Sequence, residues 1–168
     1  TSLMWYALRS VGLPVNYDYI IQWANRSQSH SWNSLWVDSV LYSFGMSDPE
    51  FGKHFESRPQ ERVGKVYRKM FSFQPQSLPN QRGALAEGIP PAFRSPFIKD
   101  VSESYFDGID LVLKLTIPIA APKKFAYLVV FDNRNWVPVA WSRIKRGRVA
   151  FDHVEKGCAY MVMYLSLI

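Results

Sequence analysis

The feature that most restricts what this chain can fold into is a change of hydrophobic period near residue 99. Beyond it, short apolar runs repeat in steps of two at 111–117, 125–131, 136–141, 148–151 and 159–165. Turn-forming clusters separate them at 121–124, 132–135, 145–147 and 155–157. Runs this short, punctuated this often, are too brief for helices and alternate as half-buried strands do. They predict an antiparallel β-sandwich over 99–168.

Ahead of that region the pattern dissolves. The stretch 74–98 holds five prolines and two glycines, which remove backbone donors and favour turns. It predicts a surface connector between a unit at 1–73 and the sandwich. In the first unit Leu3, Ala7, Leu8 and Val11 fall at helical spacing, and Gly12 with Pro14 ends the helix. An aromatic-rich strand at 15–23, a polar loop at 25–29, a return strand at 40–44 and a possible strand at 65–73 follow. The expected class is therefore α+β: a helix packed on an antiparallel sheet, then an all-β domain.

Between those strands lies Ser29-His30-Ser31-Trp32-Asn33-Ser34-Leu35-Trp36-Val37. Alternation and two tryptophans predict a strand on which His30, Trp32, Ser34 and Trp36 share one face. Histidine is the usual general base near neutral pH, and the aromatic two places on would shield its site from water. A tight turn at Asp38-Ser39 pairs positions summing to 77. His30 then lies opposite Ser47, with Asp48 one place off and on the wrong face unless a bulge intervenes. His54 and His153 stand in polar surroundings and read as surface residues. Trp136 and Trp141 offer an aromatic platform for sugars, against core packing as the commoner role.

Charge narrows the partners. The net charge is +6, with ten basic and seven acidic residues both in 1–98 and in 99–168. Only Arg143, Lys145, Arg146 and Arg148 cluster, around Gly147, as a hairpin tip would. Without a gathered basic face no nucleic-acid partner is expected. No apolar run approaches the length of a membrane span. Cys158, the single cysteine, sits in an apolar run and reads as a buried small hydrophobe rather than a nucleophile. No cofactor or metal is expected. The chain opens without Met, on residues that look like the inside of an element, so a processed or trimmed chain is expected.

The run Ala7-Leu8-Arg9-Ser10-Val11-Gly12-Leu13-Pro14-Val15, followed by Trp23 and then His30-Ser31-Trp32-Asn33, resembles the transglutaminase-like superfamily of bacterial proteins. The resemblance covers 1–73. It implies a papain-like core with a Cys-His-Asp triad, in which His30 is the base. Asp48 is the first candidate for the acid, ahead of Glu50 and Asp38, and Trp32 and Trp23 bind substrate. The family's cysteine stands close upstream of the arginine at the helix end, and Arg9 has only eight residues ahead of it. The resemblance therefore places the nucleophile at or just before Thr1. It also implies that the helix start lines a cleft with His30 and Trp32. The pieces 65–69, 100–105 and 136–141 look like the sandwich that follows such cores in bacterial surface proteins.

The function so implied is a cysteine-dependent amide hydrolase or acyltransferase. It would act on peptide or cell-wall amide bonds outside the cytoplasm or at the cell surface, and would be inactive without its nucleophile. The alternative is a non-catalytic glycan- or protein-binding module of a bacterial surface protein. The partners implied are peptide, protein or glycan.

Overall fold

Alternation in the chain's first strand sets up the larger sheet. In β1 (Asn16–Ile20), Asp18 and Ile20 are fully buried on one side, while Tyr17 and Tyr19 point to the other. β1 pairs with β2 (His30–Val37), which pairs with β3 (Val40–Phe44). On its other edge β1 pairs with β4 (Tyr67–Lys69), and β4 with β5 (Ile98–Asp100). The order is β3-β2-β1-β4-β5, antiparallel throughout. The β2–β3 register follows from its turn. Asp38 and Ser39 both take positive φ (47° and 66°), as a type I′ hairpin requires. Val37 therefore faces Val40, and Asn33 faces Phe44. The computed structural model describes residues 1–48, 50–55, 59–116 and 123–164.

The expected α+β class is corrected by this architecture. Of the described residues 38% are strand and 14% helix, the sheets are antiparallel, and only one helix is substantial. That helix, α1 (Ser2–Ser10), buries one side chain, Trp5, against Val15, Phe44, Tyr17 and Leu35. Nine residues with a single buried anchor cannot form the layer of a helix-on-sheet core. The opposite face of the sheet is covered by loops. There Ile20, Trp23, Trp32, Val63, Val66 and Val101 form a cluster, with Phe55, Tyr105 and Phe106 packed on it.

The second half forms two small antiparallel sheets. β6 (Ile109–Lys114) pairs with β9 (Arg148–Val154), and β7 (Phe125–Asp132) lies between β8 (Asn135–Arg143) and β10 (Met161–Met163). Ile117, Ala121, Pro122 and Leu165, parts of the expected strands and turns, lie outside the described residues. The β7–β8 register slips between Leu128 and Val129, so that Pro138 faces Val129 and Ala140 faces Leu128. A bulge of this kind is how a sheet tolerates a proline. β7 is buried on both faces. Ala126 and Leu128 pack with Val149, Phe151 and Val154, while Phe125, Tyr127 and Val129 pack the other way.

What they meet on that other side is the proline-rich stretch. Leu78, Ala84 and Phe93 share one cluster with Tyr67, Ile98, Phe125, Tyr127 and Val129. Short 3-10 turns at Leu78–Asn80 and Pro91–Phe93, and the single turn α2 (Ala84–Glu87), aim those side chains inward. The Tyr67 hydroxyl donates to the Val139 carbonyl at 2.7 Å, and the Glu87 carboxylate accepts from the Lys124 and Phe125 amides. No helix among the described residues is long and apolar enough to cross a membrane.

Buried phenols give this core a measurable pH limit. Desolvation first, then the Tyr17 phenol, pushes Tyr19 up to about 12; burial, then Glu87, does the same for Tyr127. Burial, then the Asp100 carboxylate and Tyr19, holds Tyr67 well above its ordinary value. The folded state keeps these protons where the unfolded chain releases them near pH 10. Their stabilisation is therefore complete below pH 10 and declines as pH rises through 12. Urea unfolding at pH 9 and pH 11 is expected to show the loss, with phenolate absorbance appearing together with unfolding. Equal stability at both pH values would contradict the burial of these phenols.

Candidate functional site: a carboxylate–imidazole–imidazole line

β3 ends at Phe44, and the chain then doubles back. The Asp48 carboxylate Oδ2 accepts the Gly45 amide at 2.6 Å, and the Asp48 amide donates to the Gly45 carbonyl at 3.4 Å. This closed turn removes the parity problem of an extended strand, because Asp48 is no longer on the sheet. The following segment docks on β3 by a parallel bridge between Ser43 and Lys53, and the His54 amide donates to the Ser43 carbonyl at 3.3 Å. Phe51 anchors it against Tyr42 and Phe44.

That docking carries His54 inside. Its side chain is 3% exposed and that of Asp48 5%, so the two meet away from water. His54 Nδ1 lies 2.7 Å from Asp48 Oδ2, and His54 Nε2 lies 2.9 Å from His30 Nε2. The two imidazole planes differ by 8° with centroids 5.0 Å apart. Such a separation is close to the N···N distance plus two ring radii, so the rings meet edge to edge in one plane.

The proton inventory of this line is constrained. Asp48 accepts, so His54 Nδ1 carries hydrogen. A neutral His54 then has a bare Nε2, which accepts the Nε2 hydrogen of His30. His30 thereby faces, through His54, a buried carboxylate. His30 is the solvent-side member, half-buried, while the side chains of His54 and Asp48 are not accessible.

Aromatic rings hold the imidazoles. Trp23 lies beside His30 with centroids 5.3 Å apart, and Trp32 flanks His30 at 5.9 Å and His54 at 5.6 Å. Trp23 and Trp32 are fully buried, and Trp23 Nε1 has no hydrogen-bond partner among the described residues. Trp32 Nε1 donates to the Tyr105 hydroxyl at 2.9 Å, which donates to Asp18 Oδ2. Asp18 also accepts from Ser34 Oγ at 2.6 Å and takes a two-pronged pair from Arg68, each contact 2.7 Å. Burial, then the charge of Asp18, pushes the Tyr105 phenol far up, so it remains a donor. Burial alone would lower the Arg68 guanidinium; its hydrogen bonds and charge pairing with Asp18 outweigh that and raise it.

The structure thus brings His30, Trp32 and Trp23 together, with Asp48 one imidazole away. The contact of Asp48 with an imidazole is to His54, which read as a surface residue. Its signal was the pair of phenylalanines, Phe51 and Phe55, in an otherwise polar stretch. Glu50 pairs instead with Lys53 at 2.6 Å, and Asp38 forms the hairpin turn. The helix start reaches the strand through Ser31, whose carbonyl accepts from the Thr1 hydroxyl at 3.0 Å. α1 itself packs on the Tyr17–Leu35–Phe44 face, whereas His30 and Trp32 belong to the opposite face. His153 is half-buried and donates from Nε2 to the Phe106 carbonyl at 2.7 Å. Burial pushes the Cys158 thiol up, away from thiolate character. Among the described residues no group of three or more His, Cys, Asp or Glu is placed to hold a metal ion.

Comparison of the chain with protein-family models, with curated proteins and with solved structures returned no match. The fold and the site define a β-rich protein with a buried acid–imidazole pair backing a half-exposed histidine.

Proposed function

We propose that the chain supplies the proton-handling part of a cysteine-dependent amide hydrolase or acyltransferase of the transglutaminase-like kind, acting on peptide or cell-wall amide bonds outside the cytoplasm. The observation that carries this reading is the line Asp48–His54–His30, with N···O and N···N contacts of 2.7 and 2.9 Å. The resemblance of 7–15 and 30–33 adds to it. His30 is the first residue of β2, so its ring stands at the end of the sheet.

In this reading the thiol of the cysteine that the resemblance implies gives its proton to His30, and the sulfur bonds to the amide carbonyl carbon. His30 returns the proton to the leaving amine nitrogen as the C–N bond breaks. Water or an acceptor amine then attacks the thioester, gives its proton to His30, and the sulfur leaves and is reprotonated. His54 and Asp48 fix the His30 tautomer and offset the cation formed at each step.

A protein that carries this chain together with the implied cysteine should release amine or ammonia from peptide or cell-wall amide substrates. His30→Gln is expected to lower kcat by about 10²–10⁴-fold. His54→Phe should lower kcat and alter its pH profile with KM little changed, and Cys158→Ser should keep full turnover. No turnover by the unmodified protein, or full turnover by His30→Gln, would overturn the reading. Loss of turnover in Cys158→Ser would put the nucleophile in the wrong place.

A further inference from the structure

We propose that the cleft between β5 and the consecutive strands β8 and β9 binds an oligosaccharide segment. The cleft holds about 590 Å³, within the size range of small-ligand sites. Its walls come from both halves of the fold: β4 and β5, residues 74–77, and the facing parts of β8 and β9. None of its side chains belongs to the His30–His54–Asp48 line.

Three properties of the lining select the ligand. The aromatic element is Trp141, half-buried and held edge-on by Phe125 at 5.8 Å and 69°. An indole fixed in this way offers a rigid apolar surface for the C–H face of a sugar ring at little entropic cost. Around it stand donors and acceptors of both kinds. Gln76, Lys99 and Asp152 are exposed at the rim, and the Gln74 carboxamide is pre-oriented by its bond to the Ser72 carbonyl at 3.0 Å. A sugar hydroxyl both donates and accepts, so such a mixed set suits it. The floor is rigid: the buried Lys65 ammonium is held by Asp100 Oδ2 at 2.5 Å and by the Asp152 and His153 carbonyls at 2.7 and 3.2 Å.

The same lining disfavours other classes. Three cations, Lys65, Lys99 and Arg143, face two carboxylates, Asp100 and Asp152, which is too even a balance for a polyphosphate backbone. A peptide could add to edge strand β5, but three residues provide too few backbone groups for stable strand addition.

The test is an NMR titration of the chain with xylo-oligosaccharides, oligogalacturonate, chitobiose and a muramyl disaccharide, with an unrelated extended peptide alongside. At least one glycan is expected to saturate, with amide shifts gathered at 74–77, 99–100 and 141–143. Trp141→Ala should weaken that binding about tenfold or more, while Trp136→Ala, at an exposed site outside the cleft, should leave it unchanged. Because Trp141 also packs on the core, Gln76→Ala and Lys99→Ala serve as a second pair. Each should weaken binding severalfold at unchanged thermal stability. Failure of every glycan to bind, binding indifferent to Trp141, Gln76 and Lys99, or shifts at these positions with the peptide alone would each overturn the proposal.

Discussion

Asp18→Ala is expected to cost about 3–5 kcal/mol of stability, as breaking one side of a buried ion pair does. Asp18 is fully buried in the middle strand of the larger sheet, where it accepts from Arg68, Ser34 and Tyr105. Removing the carboxylate leaves a guanidinium that is only 12% exposed without its partner, and two hydroxyls without an acceptor. The effect should extend to the histidines, since Tyr105 in turn holds the Trp32 indole that flanks both imidazoles. Urea unfolding monitored by far-UV circular dichroism measures the loss. The double variant Asp18→Ala/Arg68→Met should recover part of it, because the stranded charge is gone. A single-variant loss below about 1 kcal/mol, the magnitude of an exposed pair, would show that water reaches this node.

What the sequence made legible, and what it hid, follows from what periodicity reports. Alternation states which residues of one strand share a face, and it placed His30, Trp32 and Ser34 together correctly. Turn chemistry states a register, and the Asp38-Ser39 hairpin has the pairing its position implies. Neither signal says what covers the face. His54 read as exposed because its neighbours are polar. It is buried by the docking of 50–55 on β3, a tertiary event with no local pattern beyond two phenylalanines. Asp48 falls on the wrong face only for a chain extended past Phe44, and the turn at Gly45 ends that extension. Asp18 carries no sequence signal, since a carboxylate inside an aromatic strand gives no hint of the arginine fifty residues on that neutralises it. The expected α+β core failed for a related reason: helical spacing at 3–11 predicts a helix, but not how little of the sheet that helix covers.

The proline-rich stretch is the sharpest case, and Phe93 tests it. Phe93 is fully buried, edge-on to Tyr67 of the larger sheet at 5.8 Å and 71°, and stacked on Tyr127 of the three-stranded sheet at 6.4 Å. Proline and glycine exclude regular elements, but they do not keep a loop out of the core. Leu78 opens one tight 3-10 turn and Phe93 closes another, each with a proline in its first two positions. Phe93→Ala is therefore expected to destabilise by about 3–5 kcal/mol, the cost of emptying an aromatic site that cannot collapse. A residue on a surface connector would cost about 0.5 kcal/mol or less, and the exposed Phe97 serves as that control. Because Phe93 touches residues of the five-stranded and the three-stranded sheet, unfolding followed by tryptophan fluorescence and by circular dichroism should shift as one transition to lower urea. Two separated transitions, or a Phe93→Ala cost no larger than that of Phe97→Ala, would mean that the halves fold apart and that the stretch between them is a linker after all.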